Sequence, residues 1–285
     1  MSQGPNPSDE GRKAESSPLC RACGKPFEKD EFTGLLYCSL CDTILNLLPE
    51  GRTYMLLGDS GSGKSIFICK LMDIALRNGK PCVFLALDEL PRQLRRSMDN
   101  MVEGIEENEK SGLLKFVDCY SCMGGVKSEE KYHLDTPGDL NALALLLSKL
   151  LVRSEGQPPA SLFIDSLTTL FAHGNADAIL KFLYSMSAKL RSEGGSLFFS
   201  LSGGAVPHET QKKLEQLADG LVEFKVEETP GWVRRYYRFS KVRGTLYFDT
   251  WLPFFIGENT IRLAPPEEPE VQDRFYRTLS LIKAS

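Results

Sequence analysis

Residues 58–65, Gly58-Asp59-Ser60-Gly61-Ser62-Gly63-Lys64-Ser65, narrow the folds open to this chain more than any other stretch. They match the pattern G-x-x-x-x-G-K-[ST] in full. A short apolar run at 54–57 precedes them, and a segment of helical spacing at 66–76 follows, closed by Gly79. A strand that turns through glycines straight into a helix lines up successive backbone N–H groups around one hollow. The helix adds the positive end of its dipole, so the hollow suits an anion. Lys64 is placed to reach the β- and γ-phosphates of ATP, and the Ser65 hydroxyl to ligate Mg²⁺. A chance match in a glycine-rich turn is the bland alternative. The strand before and the helix after weigh against it.

The rest of the chain keeps the alternation that such a loop requires. Strand-like runs stand at 83–87, 114–117, 162–164 and 197–201. A helix opens at Pro91 with Leu94, Met98, Val102 and Ile105 on one face, and further helices cover 140–151 and 177–190. Strands alternating with helices imply an α/β fold with a mainly parallel sheet covered on both faces. After Asp219 the pattern changes to consecutive strands at 221–225, 234–241 and 245–248, which predicts an antiparallel extension. The expected organisation is a polar, disordered tail over 1–17, a small cysteine-bearing module over 18–45 and one core over 46–263. A C-terminal tail over 264–285 then carries a weak amphipathic stretch at 271–282.

Three carboxylates stand at strand ends. Asp165 closes the run 162–164, where an acid beside a phosphate loop holds magnesium through water; read alone, it is an ordinary Asp capping the next segment. Asp88 and Glu89 close the strand that follows the loop's helix. Glu89 is the better candidate general base, because its longer side chain reaches across to the γ-phosphate. A solvated N-cap pair for the helix at Pro91 is the alternative. Ser200 and Ser202, ending the next strand, either sense the γ-phosphate or serve a turn.

Residues 58–65, Asp88-Glu89, 162–165, Leu217-Ala218-Asp219-Gly220 and Lys241-Val242-Arg243-Gly244-Thr245 together resemble the KaiC-like branch of RecA-type ATPases. Order and spacing match over about 46–256. The loop is shared by many families; paired acids combined with a late K-x-R-G-T are far more selective. The resemblance implies a RecA-like fold, ATP with Mg²⁺, and a hexameric ring with ATP at subunit boundaries. It implies that Gly58, Asp59, Ser60, Gly61, Ser62, Gly63, Lys64 and Ser65 bind the phosphates, with Ser65 and Asp165 serving magnesium. Glu89, with Asp88 beside it, would activate water, and Lys241 and Arg243 would reach into the neighbour's site. Charge developing on a transferred phosphoryl group needs such cations. Without the family, Lys241 and Arg243 are basic residues flanking a turn on an exposed face. The chain carries one such domain where the circadian-clock protein of that family has two in tandem, and no residue here maps onto its self-phosphorylation.

Cys20-x-x-Cys23 and Cys38-x-x-Cys41 are two pairs whose thiolates can meet at one tetrahedral Zn²⁺, with Gly34 and Tyr37 between them suited to a short hairpin. So short a segment has too little core to fold alone, and metal would supply much of its stability. Redox-active dithiols or idle thiols are the other readings. Cys119-x-x-Cys122 has no second pair nearby and His133 stands alone, so buried or idle thiols are expected there; Cys69 and Cys82 are read as core. The N-terminus lacks the apolar stretch of a signal peptide, and eight cysteines without export favour metal or buried thiols over disulfides. A cytoplasmic protein is expected. The longest apolar stretch, 140–152, is broken by Asn141, Ser148 and Lys149, so no membrane span is expected. A formal net charge of −4 gives no global pull towards nucleic acid.

These readings converge on an oligomeric, Mg-dependent ATPase acting as a regulatory or signalling switch on a protein partner. Its main rival is a scaffold that uses ATP as a conformational ligand with negligible turnover. A DNA-repair ATPase similar to bacterial RadA, which also joins a four-cysteine ribbon to a RecA-type core, is the third. The late K-V-R-G-T and the acidic balance disfavour it.

Overall fold

The computed structural model describes residues 48–284, apart from 153–155, 230–231, 248, 257–260, 265 and 267, together with residues 28–29 and 36–37. Glu28–Lys29 (β1) and Leu36–Tyr37 (β2) pair antiparallel, the short hairpin expected between the two cysteine pairs. Cys20, Cys23, Cys38 and Cys41, with the zinc reading built on them, lie outside the described residues, as does the tail over 1–17.

From Leu48 onward, strands and helices interleave and the chain then ends in a run of strands and one helix. They are β3 (Thr53–Gly58), α1 (Lys64–Arg77), β4 (Cys82–Ala86), α2 (Pro91–Met98), α3 (Ile105–Lys110) and β5 (Leu114–Asp118). Then come α4 (Leu140–Leu150), β6 (Ser161–Asp165), α5 (Leu167–His173), α6 (Ala176–Ser192), β7 (Ser196–Ser202) and α7 (His208–Leu217). The chain closes with β8 (Gly220–Thr229), β9 (Trp232–Val242), β10 (Leu252–Ile256), β11 (Ile261–Leu263) and α8 (Pro269–Ala284).

One sheet of nine strands orders them β11-β10-β9-β8-β3-β7-β6-β4-β5. Strands β3 to β8 run parallel, and β9, β10 and β11 continue antiparallel. Every residue of β4 is buried, as a parallel strand covered on both faces requires. Alternate side chains feed two separate cores. Tyr54, Leu56, Phe84 and Phe163 pack with α1, α2 and α8, while Met55, Leu85, Leu162 and Phe199 pack with α4 to α7. On the first face the rings of Tyr54, Phe198 and Phe163 stack in series, 5.1 and 5.0 Å between centroids.

The structure departs from the sequence expectations in several places. No strand forms at 245–247; Gly244 turns the chain at φ 76°, and the next strand is β10. The segment expected to start the antiparallel extension, β8, lies parallel to β3, so the reversal begins at β9. The helix at Pro91 ends at Met98; Val102 and Ile105 reach the same core through a turn and the short α3, whose entry is Gly104 at φ 65°. Helices α5 and α7 are not foreseen. The segment read as a C-terminal tail carries α8, which buries Phe275 and Tyr276 in the first core. Among the described residues no helix is long and apolar enough to cross a membrane.

Candidate functional site

The loop between β3 and α1 owes its shape to where its glycines sit. Gly61 and Gly63 take φ of 75° and 97°, a region that L side chains avoid. A Cβ on Gly58 would lie 2.7 Å from the Cβ and carbonyl oxygen of Phe224, and one on Gly63 would lie 2.8 Å from Phe254 Cζ. Two of the three glycines therefore also let the strands beyond pack close. Lys64, buried, folds back so that Nζ donates to the carbonyls of Gly58 and Asp59 at 2.7 Å each. The Ser62 hydroxyl is fully buried within the loop and has no hydrogen-bond partner among the described residues.

Sheet register brings the acids to this loop. Ala86 lies opposite Asp165, so Asp88 and Glu89 leave β4 beside the tip of β6. The hydroxyls of Ser200 and Ser65 both donate to the Asp165 carboxylate. Burial pushes the Asp165 carboxyl above the usual range; the two serines and Lys64 oppose that, while Asp88 adds to it. Glu89 is also raised, by burial first and then by Asp165 and Asp88. Burial lowers Lys64, with Asp165 and then Asp59 holding its charge in place. The structure thus brings Lys64, Ser65, Asp88, Glu89 and Asp165 into one electrostatic cluster with an excess of negative charge.

Such a cluster fits a divalent cation delivered with a phosphate ligand. Among the described residues no group of three or more His, Cys, Asp or Glu side chains could hold a metal alone. Magnesium bound with a nucleotide needs fewer, because phosphate oxygens and water fill most of its octahedral shell. Ser65 and Asp165, hydrogen-bonded to one another, are the pair such an ion would join.

Lys241 and Arg243 are not part of this cluster. Val242 pairs with Gly220, and Gly220 with Tyr54, whereas Phe224 pairs with Gly58. Both cations thus sit at the end of the sheet opposite their own phosphate loop. Lys241 Nζ donates to the carbonyls of Glu215 and Ala218 at 2.7 and 2.5 Å, closing the C-terminal end of α7. Burial, and after it Arg243, pulls the Lys241 pKa down. Arg243 donates to the Gln216 carbonyl at 3.2 Å and lies 3.5 Å from the buried Asp219 carboxylate.

Three residues at the loop are not foreseen from sequence. Arg235 on β9 donates from Nε to the Gly61 carbonyl at 3.1 Å, Phe254 on β10 closes on Gly63, and Phe224 on β8 closes on Gly58. No local signal marks them; only the pairing of β8 with β9 and of β9 with β10 brings them there. Ser202 donates its N–H to the Thr168 hydroxyl, 3.1 Å away. Cys119 is buried and Cys122 half-buried, both with thiols pushed up by burial, in a loop organised by four hydrogen bonds to Asp118.

A family model described as the KaiC ATPase matches residues 39–268. A UPF0273 protein of Aeropyrum pernix is 30% identical over 228 residues, covering 79% of this chain and 90% of its own. A UPF0273 protein of Methanopyrus kandleri is 29% identical over 238 residues, covering 82% and 92%. Among solved structures, a KaiC-like protein of Pyrococcus horikoshii superposes with a TM-score of 0.61 at 24% identity, over 76% of this chain and 92% of its own. The flagellar accessory protein FlaH of Methanocaldococcus jannaschii gives 0.64 at 14% identity, over 80% and 97%. At those identities the structural likeness is one of fold, and the fold is the RecA-like α/β arrangement.

Proposed function

The chain belongs to the KaiC-like ATPase family, and on that premise we propose that it binds Mg-ATP at residues 58–65 and hydrolyses it between two copies of itself. One observation carries the reading. Ser65 at the start of α1 is hydrogen-bonded to Asp165 at the tip of β6, and Glu89 beyond β4 lies close enough for Asp165 to raise its pKa. Loop N–H groups hold the phosphates, and Lys64 turns to them from the carbonyls it now occupies. Ser65 and Asp165 hold magnesium, which when bound offsets the charge of the phosphates. Glu89 takes a proton from the attacking water on its carboxylate, and its raised pKa brings it nearer the pH at which a general base works best.

Lys241 and Arg243, at the far end of the sheet from their own loop, serve the site of a neighbouring copy in a ring. There they meet charge that builds on the transferred group, so turnover depends on assembly. An oligomeric regulatory switch is the output this design suits, with residues 18–45 as a zinc-bound element for docking or support.

A nucleotide-gated scaffold with negligible turnover has one observation in its favour: both cations are bound to carbonyls of their own chain and must leave them first. Phosphate release by the wild type and Glu89→Gln, beside calorimetry with Mg-ATP, separates the two. The enzyme reading expects a fall of about a hundredfold with binding kept. Equal, near-zero rates with binding intact decide for the scaffold, and flat calorimetry sinks both.

A further inference from the structure

The end of the sheet away from the phosphate loop gathers cations around the buried Asp219 carboxylate. Arg191, in the last turn of α6, and Arg243, just past β9, both lie within 4 Å of it. The Arg52 guanidinium packs on the same turn, where a Cβ on Gly244 would meet its Nη2 at 3.3 Å. Lys241 stands two residues before Arg243, on the carbonyls of α7.

The carboxylate is not shared evenly. Its Oδ2 accepts from the Thr53 N–H at 3.0 Å and from Arg191 at 2.5 Å. Its Oδ1 meets Arg243 only at 3.5 Å, beyond the usual reach of a charged hydrogen bond. The other side-chain bond of Arg243 among the described residues goes to the neutral Gln216 carbonyl, 3.2 Å away. Arg191 therefore holds the buried charge closely, while Arg243, 51% exposed, is held loosely beside it.

A carboxylate taken out of water draws in whichever cation can reach it. With Arg191 in place that demand is met through Oδ2. Without Arg191 the same charge would pull the Arg243 guanidinium onto Oδ1 as a close pair, and the cation would be turned into its own chain. The plain alternative is an ion pair that only staples α6 to the sheet.

We propose that Arg191 is a positioning residue for Arg243: by neutralising Asp219 it keeps the Arg243 guanidinium available to a phosphoryl group bound in a neighbouring copy. Arg191 itself touches no nucleotide and acts through charge alone. The role rests on the reading of Arg243 as a cation donated between copies.

Phosphate release is compared for the wild type, Arg191→Gln, Arg191→Lys and the double variant Arg191→Gln/Asp219→Asn, at a temperature below the lowest melting midpoint of the set. Arg191→Gln removes the balancing charge, so kcat should fall about tenfold while the Kd for Mg-ATP holds by calorimetry. Arg191→Lys keeps a cation and should recover most of that loss. The double variant also removes the charge that draws Arg243 in, and its rate should return to within about threefold of the wild type. A staple predicts the reverse, a second lost contact that lowers the rate again or leaves it unmoved. In mixed rings Arg191→Gln should regain activity with a Glu89→Gln chain, which supplies intact cations, and gain none with a chain lacking Lys241 and Arg243.

Turnover that Arg191→Gln leaves unchanged, or a double variant no faster than the single one, overturns the positioning role and leaves the donated-cation reading standing. A wild type that binds Mg-ATP but releases no phosphate sinks that reading, and the role of Arg191 with it.

Discussion

Lys64 Nζ and the Gly58 carbonyl are 2.7 Å apart, so the loop's own cation occupies the loop's own mouth, shared with the Asp59 carbonyl at the same distance. Burial pulls its pKa down while Asp165 favours its charged form, which leaves an ammonium held inside the loop by two backbone carbonyls. A γ-phosphate offers a full negative charge where the carbonyls offer only dipoles, and the ammonium should move to it. Lys64→Gln should weaken Mg-ATP binding about thirtyfold, roughly 2 kcal/mol, by calorimetry. An unchanged Kd would mean that the side chain never leaves its carbonyls.

The crowding of Glu89, Asp88 and Asp165 has a pH signature. Burial and neighbouring carboxylates raise the folded pKa of Glu89, and burial raises that of Asp165. A raised carboxyl favours the folded state while protonated; that contribution is complete below the ordinary carboxylate range and is lost as pH climbs through the raised values. The nucleotide-free chain should therefore lose stability across that window. Glu89→Gln should reduce the slope and raise the melting midpoint at neutral pH. Turnover should run the other way, rising with pH as Glu89 ionises to accept a proton. Thermal melts and rates over one pH series test both, and an undiminished slope in Glu89→Gln would refute the crowding.

What is legible in the sequence, and what is not, divides along a physical line. The phosphate loop and the acids at 88, 89 and 165 sit where an apolar run breaks, and local spacing reports such breaks directly. Arg235 reaches Gly61 across 174 residues of chain, and nothing near either residue announces the meeting. Helix α7 escapes notice because its buried positions, Thr210, Leu214 and Leu217, are thinly set among charged residues. The strand expected at 245–248 rests on the β-propensity of Leu246 and Tyr247, which the turn at Gly244 overrides. Arg235 and α7 owe their places to tertiary contacts that local spacing barely reports, whereas the lost strand yields to a turn next to it in the chain.

Asp219 anchors the far end of the sheet. Its carboxylate accepts from the Thr53 N–H at 3.0 Å and from Arg191 at 2.5 Å, and its backbone bonds both Thr53 and Arg243. Asp219→Ala leaves the buried Thr53 N–H without an acceptor and should cost about 2–4 kcal/mol in denaturant unfolding. Asp219→Asn keeps an acceptor for that N–H and should cost roughly half as much. Equal losses in both variants would place the stabilising weight on Arg191 instead.

Lys241 offers the sharpest test of an intersubunit site, because its place in the sheet already rules out its own loop. A chain lacking Lys241 and Arg243 retains Glu89, and a Glu89→Gln chain retains both cations. Each variant alone should be inactive. In a mixed ring, some boundaries pair an intact acid from one copy with intact cations from the other, so mixing should restore part of the wild-type rate. Removing Lys241 also uncaps the Glu215 and Ala218 carbonyls, so each variant must be shown to fold and to assemble on Mg-ATP before mixing. The recovered fraction should depend on the mixing ratio and peak near equal amounts. If assembled mixtures stay as inactive as their parents, the cations complete no neighbour's site, and their bonds to α7 are the whole of their role.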